Sequence, residues 1–161
     1  MINFAKKLKN NSNLLLLFTF LSLLIALYNP TIPITKNIYN YIFIVDISQS
    51  MNTKDMLIDN KEVSRINYTK SMISNILERL PCKSKVSIGM FAGVSVAATY
   101  TPIEVCENFS VINSTIENLD WRSTWSGNTR IRESMINLAR LIRSFPESAQ
   151  VIYVTDGEEA P

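Results

Sequence analysis

From Tyr41 to Val45 every residue is apolar, and the run ends in Asp46-Ile47-Ser48-Gln49-Ser50. A strand with one wet face alternates apolar and polar side chains; a strand apolar at every position is covered on both faces, as in the middle of a parallel sheet. Few folds accommodate such a strand. In open α/β sheets the ligand crevice lies outside the carboxyl ends of the strands, which is where Asp46 falls. A carboxylate followed at alternate positions by two hydroxyls is an all-oxygen donor set, and hard divalent cations take such sets.

The rest of the composition narrows the chemistry. A chain of 161 residues, 47% hydrophobic, can bury one core. It contains no histidine, which excludes His-ligated zinc, Ser-His-Asp hydrolysis and Cys-His nucleophiles together. Its two cysteines, Cys82 and Cys106, are too few for a zinc site of their own. With a net charge of +2 and no basic stripe interleaved with aromatics, nucleic acid is not an expected partner.

Residues 1–13 are polar and basic, and residues 14–28 are apolar apart from Thr19 and Ser22. This is short for a membrane helix, which needs about 20 residues, yet it has the length of a signal-peptide core. No small-x-small cleavage site follows, so the segment reads as an uncleaved, single-pass transmembrane signal anchor. Lys6, Lys7 and Lys9 would then stay in the cytoplasm, placing the chain after residue 30 on the periplasmic side of the inner (plasma) membrane. Residues 29–39, with Pro30 and Pro33, read as a linker, and one domain is expected over 40–161.

Within that domain, residues 52–64 read as a polar segment ending in a helix cap at Ser64. Ile66, Ile73, Ile76, Leu77 and Leu80 recur at helical spacing up to Pro81. Residues 86–92 and 94–100 predict an antiparallel hairpin about Gly93. Ile112, Ile116 and Leu119 predict a short helix, 121–128 a loop, and Ile131, Met135, Leu138 and Ile142 another helix ending before Pro146. A second buried strand, 151–155, also runs into an aspartate, Asp156. Alternating strands and helices predict an α/β domain with a mostly parallel sheet. Paired positions in a hairpin have a constant index sum, which sets Cys82 opposite position 105 or 106. A disulfide to Cys106 follows if the compartment is oxidising. Two separate core cysteines remain the alternative, since Pro81 can divert the chain before pairing extends that far.

Two strands thus deliver carboxylates to one rim, and carboxylates on neighbouring strands about 4.8 Å apart share either a proton or a cation. Ser48, Ser50 and, from another loop, Thr129 add hydroxyls that favour the cation. Singly, each has a plainer reading: Asp46 and Asp156 as turn caps, the serines as loop hydrogen-bonders, Thr129 as a helix N-cap.

The Asp-x-Ser-x-Ser after a buried strand, the Gly-Asn-Thr-x-Ile at 127–131 and the Thr-Asp-Gly at 155–157 resemble the metal-ion-dependent adhesion site of von Willebrand factor type A domains. That resemblance spans about residues 40–161. It implies a Rossmann-like three-layer α/β fold with a mostly parallel sheet and one antiparallel edge strand. It also implies Mg²⁺ (or Mn²⁺) held by the hydroxyls of Ser48, Ser50 and Thr129, with Asp46 and Asp156 acting largely through water. An acidic side chain of a protein partner would complete the shell, and no catalysis is implied. Asn128 stands where the family has a second glycine, a position that is not a ligand.

Leu-Pro-Cys at 80–82, Glu-Val-Cys at 104–106, Leu-Asp-Trp-Arg at 119–122 and Thr-Asp-Gly-Glu-Glu-Ala-Pro at 155–161 follow an N-terminal apolar segment. The combination is similar to bacterial membrane-anchored members, the MoxR-associated Bat proteins and methanol dehydrogenase accessory proteins. That similarity implies an accessory in assembly or maturation of a periplasmic or membrane complex, beside a MoxR-type AAA+ ATPase. The family's domains continue for two further parallel strands, so strand 151–155 is expected to be an exposed edge of an incomplete sheet. Two alternatives keep the same residues: a haloacid-dehalogenase-like Mg²⁺ phosphatase with Asp46 as nucleophile, and a structural fragment without metal function. The first requires a second acid where Ser48 stands.

Overall fold

The structure, a computed structural model, describes residues 2–28, 37–123, 126 and 129–158, with side chains from Leu14 onward. It forms two units, Met1–Thr35 and Lys36–Pro161.

The first unit is one helix, α1 (Ile2–Tyr28). Its apolar residues are exposed all round, from Leu24 at 46% to Tyr28 at 86%. Thr19 and Ser22 donate back to the Leu16 and Thr19 carbonyls at 2.9 and 2.8 Å, so neither hydroxyl interrupts the apolar surface with an unmet donor. Among the described residues no helix is long and apolar enough to cross a membrane. The crossing expected of 14–28 is therefore not supported. Fifteen residues rising about 1.5 Å each cover about 22 Å, against about 30 Å of hydrocarbon. The side chains of Lys6, Lys7 and Lys9, and residues 29–36 of the linker expected over 29–39, lie outside the described residues.

The second unit is built on β1 (Asn40–Asp46), which pairs in parallel with β4 (Lys85–Ala92) on one side and β7 (Gln150–Val154) on the other. Its side chains alternate between two cores. Phe43, Val45 and Ile47 enter the larger, with Ile66, Ile73 and Leu77 of α2 (Arg65–Arg79) and Ile112 and Ile116 of α3 (Phe109–Glu117). Ile42 and Ile44 enter the smaller, with Phe91 and Leu138 of α4 (Ile131–Ile142). Both faces of β1 are thus dry, which is why the run from 41 to 45 shows no alternation.

Local signals set the helices. The Ser64 hydroxyl accepts from the Asn67 N–H at the start of α2, and Leu80 ends it ahead of Pro81, which cannot continue the hydrogen-bond ladder. On the far side of β4 the chain returns antiparallel as β5 (Ser95–Ala98) and β6 (Ile103–Glu104). The antiparallel edge is therefore two short strands, where one was expected. The index sum is 187 for Gly89↔Ala98 and 189 for Val86↔Ile103, so two extra residues enter between β5 and β6. The slip leaves Cys82 and Cys106 joined by a disulfide with Cα atoms 5.3 Å apart.

The polar segment 52–64 also differs from its reading. It contains a hairpin, β2 (Met56–Ile58) with β3 (Lys61–Val63), turned by Asp59 and Asn60 at φ 48° and 62°. Two consecutive positive φ angles define the tight turn that suits twisted strands, and Asp and Asn tolerate it better than other non-glycine residues. That dipeptide was the available signal. In the sheet order β5-β4-β1-β7, β7 is the outer strand among the described residues.

Candidate metal-ion site

The site lies where β1, β4 and β7 end together. Val45 is level with Val154, so Asp46 emerges beside Thr155, with Asp156 one residue further. Asp46 is fully buried. Its Oδ1 accepts the Ser48 N–H at 2.8 Å and its Oδ2 accepts the Thr155 hydroxyl at 2.9 Å. The first bond bends the chain out of β1 into a 3-10 turn, Gln49–Asn52, whose buried Met51 pins it to the core. Ser48 stands at the N-cap position of that turn without capping it. Its hydroxyl instead meets the Ser50 hydroxyl at 2.9 Å.

Thr129 is buried and bridges Gly93, two residues past the point on β4 that is level with Asp46. It does not cap α4; that position belongs to Arg130, which makes no side-chain cap. The plainer reading of Thr129 thus loses its geometry, whereas that of Asp46 is partly realised in its bond to Ser48. Gly127, Asn128 and Trp125 lie outside the described residues.

Asp156 is tied differently. Its Oδ1 accepts the Glu158 N–H at 3.1 Å and its Oδ2 accepts from Arg65 Nη1 at 2.9 Å. Arg65 also grips Asp55 through Nε and Nη2, and Nη1 reaches Glu158 at 3.3 Å. Sequence reasoning missed Thr155, Arg65, Asp55 and Glu158. Arg65 carried one signal: a cation in the first turn of a helix is disfavoured by the dipole, and its presence there points to nearby carboxylates.

Burial pushes the Asp46 carboxyl above its ordinary value, and Asp156 adds to the rise, against the hydrogen bonds from Ser48 and Thr155. The ionised form is thus incompletely compensated, a condition that a nearby cation relieves. The donors fit one. All are oxygens, and adjacent vertices of a Mg²⁺ octahedron with bonds near 2.1 Å are about 3.0 Å apart, close to the hydroxyl spacing of Ser48 and Ser50. Among the described residues, the cluster of potential ligand atoms at Cys82, Glu104 and Cys106 contains the disulfide, so its sulfurs are already bonded to each other.

The chain is an open α/β domain whose mostly parallel sheet carries Asp46, Ser48, Ser50 and Asp156 beyond the carboxyl ends of β1 and β7. A family model, the von Willebrand factor type A domain, matches residues 41–159, and the chain belongs to that family. Among solved structures, an aerotolerance-related membrane protein from Bacteroides fragilis, solved with multiple mutations to serines, is 25% identical with a TM-score of 0.59. The match covers 76% of this chain and 56% of that one. An uncharacterized membrane-spanning protein from Vibrio fischeri is 17% identical with a TM-score of 0.53, over 66% of this chain and 50% of that one. A von Willebrand factor type A structure from Catenulispora acidiphila is 13% identical with a TM-score of 0.52, over 74% of this chain and 26% of that one. The last two share the fold. The chain spans about half the length of the first two structures it matches. No curated protein sequence matches it. Domains of this family generally mediate protein–protein interaction and are generally not catalytic.

Proposed function

We propose that this is a Mg²⁺-dependent (or Mn²⁺-dependent) protein-binding domain held at a membrane. Ser48, Ser50 and Thr129 would supply hydroxyl ligands, and Asp46 and Asp156 would act through water. The observation that carries the reading is the pair of serine hydroxyls 2.9 Å apart beside a fully buried carboxylate. A cation bound there supplies an open coordination position for an acidic side chain of a partner protein. The chain's own residues preorganise that position: Asp46 holds the Ser48 backbone, and Thr155 holds Asp46. A recess of about 170 Å³ lined by Met51, Met56, Tyr68 and Met72 adjoins Asp156 and gives the rim an apolar neighbour.

Attachment to a membrane is supported by the exposed apolar residues of α1 and by the membrane-protein descriptions of two structural neighbours. An exposed disulfide suits an oxidising compartment outside the cytoplasm. By resemblance to membrane-anchored bacterial members, the setting is assembly or maturation of a periplasmic or membrane complex beside a MoxR-type AAA+ ATPase. The phosphatase alternative finds no support at position 48, where Ser48 stands in place of its second acid and meets Ser50.

Binding to the folded state alone stabilises by RT ln(1 + [L]/Kd), about 2.7 kcal/mol at one hundred times Kd. Mg²⁺ or Mn²⁺ should therefore raise the thermal midpoint, and Asp46→Ala should abolish the shift. A wild-type protein indifferent to both ions would end the metal reading.

A further inference from the structure

We infer that Arg65 is a latch on Asp156 that competes with cation binding, so that the chain carries its own brake on the site. The inference rests on the metal reading above. Asp156 is nearly out of solvent, with 6% of its side chain exposed, and Arg65 shows 20%. Both oxygens of Asp156 are engaged, one by the Glu158 N–H and one by Arg65 Nη1. A carboxylate in that state has a reduced capacity to accept a further hydrogen bond from a water on a cation, and its charge is already offset by a guanidinium.

The guanidinium is divided in its attachments. Nε and Nη2 clasp Asp55, with the Nη2 contact at 2.6 Å, and this clasp anchors the side chain whatever Asp156 does. Nη1 alone faces the rim, where Asp156 at 2.9 Å and Glu158 at 3.3 Å share it. If Asp156 turns toward the site, Nη1 keeps Glu158 as an acceptor, and the Glu158 N–H, an exposed donor, passes to water. Release is therefore cheap compared with breaking an isolated buried pair, in which the abandoned charge has nowhere to go. The arrangement has two states that differ in one carboxylate rotation. A cation favours the state in which Asp156 is free, and Arg65 favours the other.

The geometry of the fork, as well as its charge, is required. Only a planar guanidinium can hold Asp55 with one edge and present Nη1 to Asp156 with the other; a lysine offers one flexible point donor. Arg65→Gln and Arg65→Lys should both bind the ion more tightly than wild type, by roughly threefold to tenfold, the range that one charge-assisted, largely desolvated hydrogen bond spans. The experiment is a Mn²⁺ titration of the full chain in detergent micelles, following loss of the free-ion electron paramagnetic resonance signal, with circular dichroism to show that each variant is folded. Tighter binding in both variants supports the latch. Wild-type affinity in Arg65→Lys with tighter binding in Arg65→Gln would assign the effect to charge alone and overturn it. Equal or weaker binding in both, with the wild type binding, overturns the latch and leaves the metal reading standing. No binding in any of the three overturns both. If Arg65→Gln does not fold, Glu158→Ala provides the opposite arm: Nη1 then has Asp156 alone, and binding should weaken.

Discussion

A Cβ added at Gly89 would lie 2.8 Å from the Ala97 carbonyl oxygen and 2.6 Å from Ile44 Cδ1. The isoleucine end can swing aside; the carbonyl belongs to the neighbouring strand and cannot. Gly89→Ala should therefore cost about 1–3 kcal/mol, the range for overpacking a filled core, read as a lower denaturant midpoint at unchanged m-value. Nothing in the sequence marked this glycine, because the constraint comes from β5 lying beside β4 and from Ile44 of β1, not from its own backbone. That Asp46, Ser48 and Ser50 lie close together was legible for the opposite reason. Their proximity follows from spacing along a single strand end, and hydrogen bonds link Thr155 to Asp46, Asp46 to the Ser48 N–H and the Ser48 hydroxyl to that of Ser50. Arg65 lies ninety-one residues from Asp156 in the chain, and no local pattern connects them.

At the scale of elements, the loop closed by the Cys82–Cys106 disulfide is held a second way. The Glu104 carboxylate accepts the Lys83 and Glu107 N–H groups, flanking both cysteines, and these bonds hold its pKa below the ordinary 4.5. A carboxylate whose folded value is depressed contributes stability that is fully present above its unfolded value and is lost as pH falls through the folded one. Amides of this loop should thus exchange faster as pH drops below about 4.5, after correction for intrinsic rates, and Glu104→Gln should flatten that dependence. A local response that survives the substitution would assign it to another acid. The elements with strong local signals, apolar runs for β1, β4 and β7 and helical spacing for α2 and α4, were readable to within a few residues. The β2–β3 hairpin was not, since three-residue strands are too short to show a period and the Asp59-Asn60 turn was their one mark. The two-residue slip between β5 and β6 was also hidden, because an index sum assumes a ladder without extra residues.

For the whole molecule, composition and strand order foretold one α/β domain, and the family match over 41–159 agrees. The helix ahead of it is where sequence and structure part: apolar enough to attract attention, too short in its apolar portion to cross. Its apolar side chains are nonetheless exposed, Leu16 and Leu23 at 65% and 60%. Mixed with lipid vesicles, the full chain should float with them in a density gradient, and Leu16→Glu with Leu23→Glu should leave it at the bottom. Flotation that ignores both substitutions would assign attachment elsewhere.

The strand that carries Asp46 is also the first strand after α1, so a tether at the N-terminal end pulls on β1 before anything else. Parallel partners flank it, level with it from Asn40 to Asp46 on β4 and from Tyr41 to Val45 on β7. Tension along the strand axis meets both ladders in shear, loading their hydrogen bonds together and not one by one as in unzipping. Force delivered by a bound partner would run from the Asp46 rim down β1 toward its N-terminal end, along a strand paired in parallel on both sides. In mechanical terms the central strand is a tie rod: pulled at its N-terminal end, the strand that ends in Asp46 would be the one that carries the load.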